Sequence, residues 1–146
     1  MDCIALITES NYRLLDFGLG RKLERFGETT VDRPCPGAVA SQRSAELWKQ
    51  VDLSYGLKRE DCWHVHKNSR TQSLTGNEDW FCICDGVRMS LKPTPAGQVG
   101  VFPEHWSHWP WLLEKLAVKE SIVNQLPVRS PPRVLSLFAY TGATTL

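Results

Sequence analysis

The sequence lacks three features that would each assign it to a broad class. It has no run of about 18 apolar residues, so it predicts no membrane-spanning helix. It has no excess of one charge, because 17 lysines and arginines balance 16 aspartates and glutamates to a net charge of +1. This balance excludes a strongly basic, histone-like binder of nucleic acids. It also has no Cys-x-x-Cys pair, the commonest start of a structural zinc site.

Features of an exported protein are also missing. Residues 2–9 contain no basic stretch, and their apolar run is too short for a signal peptide. The five cysteines are scattered and odd in number, which favours reduced thiols over a disulfide framework. We therefore expect a cytoplasmic protein that does not enter a membrane.

What the sequence does contain is a globular composition. The chain has 146 residues, of which 42% are hydrophobic and 23% are charged. This length is sufficient to bury a core. Six tryptophans are many for such a chain, and tryptophan either packs in cores or stacks on ligands.

The first two thirds of the chain are patterned as short strands. Residues 12–18 and 21–27 are separated by a glycine-containing turn and predict a hairpin. Residues 80–84 and 87–91 flank Asp85-Gly86, the strongest hairpin signal in the sequence. This part is therefore expected to be rich in β-structure.

The remaining segments are predicted from periodicity and from prolines. Regular structure is expected to stop in the proline-rich stretch 31–37, and residues 41–51 show a partial helical pattern. Residues 109–126 predict one amphipathic helix that Pro127 ends.

Residues 134–140 form a nearly continuous apolar run, which is typical of a parallel strand buried on both faces. Such a strand needs a parallel neighbour reached through a crossover connection. Six residues follow it in this chain, too few for either. We therefore expect the N-terminal part of a longer protein, unless residues 134–140 pair with the upstream sheet.

Two segments resemble a known family. Residues 134–142 read V-L-S-L-F-A-Y-T-G, and residues 97–105 read G-Q-V-G-V-F-P-E-H, with Trp109 shortly after. Both resemble class I S-adenosylmethionine-dependent methyltransferases, most closely the branch related to the 23S rRNA (cytosine-C5) methyltransferases. Residues 16–18, 21–27 and 33–34 resemble the opening hairpins of the same branch.

The resemblance implies an α+β fragment with two parts. Residues 1–104 would form a β-rich N-terminal domain. Residues 105–146 would supply a linker helix and the first strand of a truncated, Rossmann-like methyltransferase domain. The parent protein would transfer a methyl group from S-adenosylmethionine to RNA, with rRNA as the expected acceptor, and this fragment alone is expected to be inactive. The alternative is a non-catalytic β-sheet binding module.

The resemblance also implies where the cofactor binds. The residues expected to bind it are Phe138, Ala139, Tyr140, Thr141, Gly142, Ala143 and His105. Gly142 has no Cβ, so the backbone there could approach the cofactor closely. A helix beginning near Ala143 would direct its free N–H groups at the methionine carboxylate. Without the resemblance, residues 134–142 predict only a buried strand that ends in an ordinary turn.

His105 stands where the family has glutamine, and the contact that the glutamine makes is in question. The alternative for residues 102–105 is a loop that caps the 109–126 helix, with Glu104 favourably placed beside the helix N-terminus.

Two other functional interpretations are weaker. The five basic side chains among residues 13–33, with tryptophans following in the sequence, suggest an RNA-facing surface, although solvated charges around a Trp-rich core are commoner. The basic residues are Arg13, Arg21, Lys22, Arg25 and Arg33.

His64 and His66, like His105 and His108, are too few for a zinc site, so no metal is expected. None of the five cysteines matches the family's catalytic motif, and no catalytic residue is assigned.

Overall fold

The chain divides into two compact units, residues 1–100 and residues 101–146. The structure, a computed structural model, describes residues 10–56, 61–66, 80–123, 133–137 and 140. The first unit is built mainly from β-strands and the second contains a helix, which confirms a mixed α+β chain with a β-rich N-terminal part. The boundary expected between residues 104 and 105 stays a prediction.

In the described residues of the first unit, five strands form one sheet in the spatial order β1-β2-β3-β4-β5, and β6 and β7 form a separate hairpin. The strands are β1 Tyr12–Gly18, β2 Arg21–Phe26, β3 Thr29–Pro34, β4 Leu53–Tyr55, β5 Trp63–Val65, β6 Phe81–Cys84 and β7 Val87–Ser90. Neighbouring strands are antiparallel except β3 and β4, which run parallel and pair Val31 with Leu53 and Asp32 with Ser54.

Both predicted hairpins are confirmed, and their turns explain why. Asp85 and Gly86 have φ angles of 50° and 77°, and Leu19 and Gly20 have φ angles of 52° and 75°. Two successive residues with positive φ form the turn whose twist matches that of antiparallel strands. Glycine at the second position of each turn adopts this conformation without a steric penalty.

A buried ion pair joins β2 to β3 inside the sheet. The Glu24 carboxylate is fully buried, and its Oε2 accepts hydrogen bonds from Nε and Nη2 of Arg33 at 2.9 and 2.6 Å. Its Oε1 accepts from the Tyr12 hydroxyl at 3.1 Å and forms an ion pair with Lys22 Nζ at the same distance. The guanidinium carbon of Arg33 also lies 5.6 Å from the centre of the Phe26 ring. Strands β1, β2 and β3 therefore all contribute donors to one carboxylate.

A second ion pair lies on the other face of the same two strands. Arg21 Nε donates to Asp32 Oδ1 at 2.7 Å, and its Nη2 donates to the backbone oxygen of Tyr55 at 2.7 Å. Burial raises the pKa of Asp32, and the Arg21 hydrogen bond and charge oppose that rise. Arg21 therefore links β2 and β3 to β4. Around the two pairs lies an apolar core formed by Leu23, Phe26, Val31, Leu53, Cys82, Cys84 and Val99.

Residues 94–99 pack against the sheet through one tight contact. Gly97 has a φ of 74°, and a Cβ there would lie 2.6 Å from the ring of Tyr55. The Tyr55 hydroxyl donates to the backbone oxygen of Pro95 at 2.6 Å. Only glycine fits both this conformation and this space.

The connection between β3 and β4 is held by Asp16, which is buried on β1 beside a register shift between Leu14 and Asp16. Its Oδ2 accepts from the indole Nε1 of Trp48 at 2.8 Å and from the backbone amides of Arg43 and Ser44 at 3.0 and 3.1 Å. These donors, above all the Trp48 indole, lower the pKa of Asp16, although burial opposes them.

In the second unit, α1 spans Trp109–Val123 and follows directly on a 3-10 helix at Pro103–His108. The helix predicted over residues 109–126 is therefore confirmed up to Val123, and residues 124–126 lie outside the described residues. In the described part of the chain, no helix has the length and apolarity needed to cross a membrane.

Three predicted features differ in the structure. Residues 29–34 form β3, because Pro34 occupies only the last position of the strand, where a missing N–H does least harm. Residues 47–50 form one 3-10 turn in place of the partial helix, since the nearby amides of residues 43 and 44 bond Asp16.

Residues 133–137 form no strand. The buried strand predicted over residues 134–140 is thus not observed where the chain is described, because no described strand pairs with it.

We predict that Arg33→Met lowers the free energy of unfolding by about 3–5 kcal/mol, because Glu24 would remain buried without its main partner. Urea unfolding followed by tryptophan fluorescence measures this change. The double variant Glu24→Leu/Arg33→Met is expected to recover much of the loss, since it buries no charge.

The matched control is Lys49→Met, which removes an exposed ion pair whose side chains are 69% and 77% accessible. Its effect is expected to stay within about 0.5 kcal/mol. Equal stability of the Arg33 and Lys49 variants would contradict the role assigned to the buried pair.

We predict that Asp16→Asn destabilises the protein at neutral pH and that this difference shrinks in acid. The folded-state pKa of Asp16 lies below its ordinary value of 3.8. Its contribution is therefore complete above pH 3.8 and is lost as the pH falls through the lowered pKa. Unfolding midpoints measured from pH 7 downwards test this, with Glu46→Gln as an exposed control. A difference independent of pH would contradict it.

Candidate functional site

The candidate cofactor site lies in the second compact unit and begins at the 3-10 helix. Phe102 precedes this helix in extended conformation, and Pro103 occupies its first turn, where a missing N–H costs no hydrogen bond. The amide of His105 donates to the backbone oxygen of Phe102 at 3.0 Å. This tight turn places the His105 ring 5.6 Å from the Phe102 ring, with an interplanar angle of 38°.

Tyr140 joins the same aromatic group from the other end of the unit. Its ring centre lies 4.7 Å from that of Phe102, at 49° between the planes. Tyr140 has a φ of 53°, the left-handed conformation that non-glycine residues seldom adopt. Backbone in this state is commonest at turns and functional sites. Tyr140 is 54% exposed.

The structure therefore brings together two of the seven residues that the sequence predicted. His105 and Tyr140 both contact Phe102, which we name with them the aromatic cluster. The other five predicted residues lie outside the described residues: Phe138, Ala139, Thr141, Gly142 and Ala143. Their assignment to the cofactor site stays a prediction.

Phe102 is the contact that the sequence prediction did not assign. Phe102 belongs to the F-P-E-H segment that carried part of the resemblance, so the sequence identified this segment as part of the site. The sequence did not predict the ring contact between Phe102 and Tyr140, because these residues are 38 positions apart. Such a contact follows from tertiary packing and leaves no periodicity in the sequence.

Glu104 and Ser107 have local roles in the 3-10 helix. The Ser107 hydroxyl donates to the backbone oxygen of Glu104 at 3.0 Å, and Glu104 lies in the first turn, where a negative charge is favourable. The start of α1 carries a polar group with no described partner, since the indole Nε1 of Trp109 is buried and makes no hydrogen bond within the described structure.

The basic side chains suggested as an RNA surface are mostly bound within the sheet. Arg21 pairs with Asp32, and both Lys22 and Arg33 pair with Glu24. Arg13 and Arg25 are exposed and lie opposite each other in the β1–β2 register.

The first three tryptophans that follow these basic residues in the sequence also bind internally. Trp48 donates its indole N–H to Asp16, Trp63 donates to the backbone oxygen of Thr94, and Trp80 donates to that of Phe26. These internal hydrogen bonds favour the alternative interpretation, in which the tryptophans belong to the folded framework and the charges surround it. An RNA-facing surface that uses these side chains is therefore reduced to Arg13 and Arg25.

No metal centre is seen in the described part of the chain. There, no group of three or more histidine, cysteine, aspartate or glutamate side chains could hold an ion. His66 Nε2 lies 2.9 Å from the buried Ser54 hydroxyl, and His64 Nε2 lies 3.3 Å from Cys62 Sγ.

Comparison with known proteins points to one enzyme class. No protein-family model matches the chain. A crystal structure of the SAM-dependent methyltransferase from Agrobacterium tumefaciens is 28% identical, with a TM-score of 0.71. The similarity covers 95% of this chain and 40% of that one. The chain resembles part of a methyltransferase. A UPF0637 protein of Oceanobacillus iheyensis is 34% identical over 73 residues, 50% of this chain and 35% of that protein.

The chain therefore spans about two fifths of the methyltransferase and about a third of the UPF0637 protein. The structural similarity supports a methyltransferase-like part. The predicted Rossmann strand is not observed in residues 134–137, the part of its range that lies among the described residues apart from Tyr140.

The segment before Tyr140 exposes an apolar surface. Val134, Leu135 and Leu137 are 66%, 81% and 70% accessible. Exposed leucine and valine side chains this close together favour association, because contact removes apolar area from water.

We predict that the purified chain associates as its concentration rises and that Leu135→Ser/Leu137→Ser suppresses this association. Light scattering over a dilution series measures it. Leu19→Asn is the control, because Leu19 is 68% exposed at a hairpin turn in the first unit and asparagine tolerates its positive φ. A monomer at all concentrations, or equal suppression by Leu19→Asn, would contradict the prediction.

Proposed function

We propose that this chain is the N-terminal part of an S-adenosylmethionine-dependent methyltransferase whose acceptor is RNA, with rRNA as the expected substrate. The observation that carries the proposal is the similarity to the Agrobacterium methyltransferase, which extends over 95% of this chain at a TM-score of 0.71. The V-L-S-L-F-A-Y-T-G motif at residues 134–142 supports it independently, since motif and fold point to the same class.

The aromatic cluster fits the chemistry of this cofactor. Bound S-adenosylmethionine would supply an activated methyl group on a positively charged sulfonium. The rings of Phe102 and Tyr140 offer faces on which an adenine can stack or beside which a sulfonium is attracted. The exposure of Tyr140 would give the cofactor access to the cluster, and His105 lies beside Phe102 at the 3-10 helix.

The chain's own residues would act by binding and orientation. Tyr140 has a left-handed φ of 53°, and the family motif would put Gly142, two residues later, against the cofactor. Backbone N–H groups after that turn would hold the methionine carboxylate. Methyl transfer depends chiefly on such positioning and on electrostatic preorganisation. No described side chain is assigned as a catalytic base.

The acceptor in this proposal is RNA. RNA follows from the resemblance to the rRNA methyltransferase branch, and Arg13 and Arg25 are the exposed basic pair available to it. Phosphate contacts by arginine contribute to affinity without reading sequence.

We predict that Gly142→Val, in the protein expressed from its complete gene, weakens binding of S-adenosylhomocysteine by about a hundredfold or more. Valine adds a Cβ and methyl groups where the motif requires close backbone approach. Loss of two hydrogen bonds to a carboxylate, at about 1.5–3 kcal/mol each, gives this magnitude. Calorimetric titration measures affinity, and circular dichroism shows whether the variant is folded.

The matched control is Gly37→Val, because a Cβ at Gly37 would meet no atom within 4 Å. The same proteins are then incubated with labelled S-adenosylmethionine and total rRNA. Transfer by the wild type and by Gly37→Val, but not by Gly142→Val, supports the proposal. Unchanged affinity in folded Gly142→Val would show that this turn does not bind the cofactor. Absence of both binding and transfer in the wild type would favour the non-catalytic binding module.

A further inference from the structure

Strand β5 forms an outer edge of the main sheet and is held firmly in place. It pairs with β4 through Leu53, Ser54 and Tyr55 and has no described strand on its other side. The Trp63 indole N–H donates to the backbone oxygen of Thr94 at 2.7 Å, and its ring lies 5.1 Å from that of Tyr55. The residues beside Trp63 are therefore presented on a fixed backbone.

A cysteine and a histidine meet on one side of this edge. Cys62 and His64 are two residues apart, so in extended backbone their side chains project to the same side. Cys62 Sγ lies 3.3 Å from His64 Nε2, within hydrogen-bonding distance for sulfur. The Cys62 side chain is exposed, and the His64 side chain is half-buried.

This arrangement is that of a nucleophile beside its base. The imidazole can take the thiol proton and stabilise the thiolate that remains, and the thiolate is the reactive form of cysteine.

The other described cysteines lie in different surroundings. Cys82 and Cys84 are fully buried in the core, and burial raises the pKa of the Cys84 thiol. Cys35 is partly exposed. Cys62 thus combines exposure with a neighbouring histidine base, and the buried pair provides an internal comparison.

We propose that Cys62, activated by His64, is a site of reversible modification by small disulfides such as oxidised glutathione. The proton of Cys62 passes to His64 Nε2, and the thiolate attacks one sulfur of the disulfide. A new bond forms between Cys62 Sγ and that sulfur, while the original S–S bond breaks. Its electron pair leaves on a glutathione thiolate, which takes up the proton from His64. No net oxidant or reductant beyond the disulfide is required.

The experiment incubates the native chain with oxidised glutathione and maps the modified peptides by mass spectrometry. Iodoacetamide in parallel measures the rate at each thiol. Cys62 is expected to gain one glutathionyl group and to react about tenfold faster than Cys35, with Cys82 and Cys84 protected until urea is added. A reductant should restore the thiol.

The deciding variant is His64→Gln, which is expected to slow the reaction of Cys62 about tenfold while Cys82 and Cys84 stay protected. Their protection reports that the variant is folded. The control His108→Gln removes an exposed histidine from the second unit and should leave the rate unchanged. The proposal is overturned if Cys62 reacts no faster than Cys35, or if His64→Gln leaves its rate unchanged in the folded protein.

Discussion

The carboxylate of Glu24 is the group on which the first unit depends. A buried carboxylate is tolerated only when donors replace the water it loses, and Arg33, Tyr12 and Lys22 supply them from three adjacent strands. This requirement fixes the register of β1, β2 and β3. Arg33 extends the same network to residues 97 and 98 through longer contacts of 3.5 and 3.4 Å.

Asp16 is also a buried carboxylate whose lost water is replaced by donors, and these come from the irregular connection between β3 and β4. Backbone amides in a connection have no ladder to join, and a buried carboxylate can accept several of them at once. Here it gathers the amides of Arg43 and Ser44 with the indole of Trp48. The charged residues of this unit thus organise its backbone. For this reason basic residues that looked like an RNA surface in the sequence belong mostly to the framework.

Local signals predicted the fold best. Both hairpins could be predicted because Asp85-Gly86 and Leu19-Gly20 determine their turns from two residues each. Strand β3 was not predicted, because the nearby prolines are typical of a segment where regular structure stops. The strand forms because it pairs with β2. The strand predicted over residues 134–140 is not observed at residues 134–137, since an apolar run forms a strand only beside a partner. In the candidate site, the motif indicated His105 and Tyr140, but their common contact with Phe102 arises from packing.

The parallel pairing of β3 with β4 rests on two residue pairs and spans a long connection. The β1–β2 and β2–β3 hairpins close over two residues each, so their pairing loses little chain entropy. The β3–β4 contact must close a much longer loop before any hydrogen bond forms, and contacts of this kind form late in folding. The first unit should therefore assemble as a three-stranded meander on which β4 and β5 dock last. These two strands are expected to exchange their amide hydrogens sooner than β2, by opening as one cooperative segment.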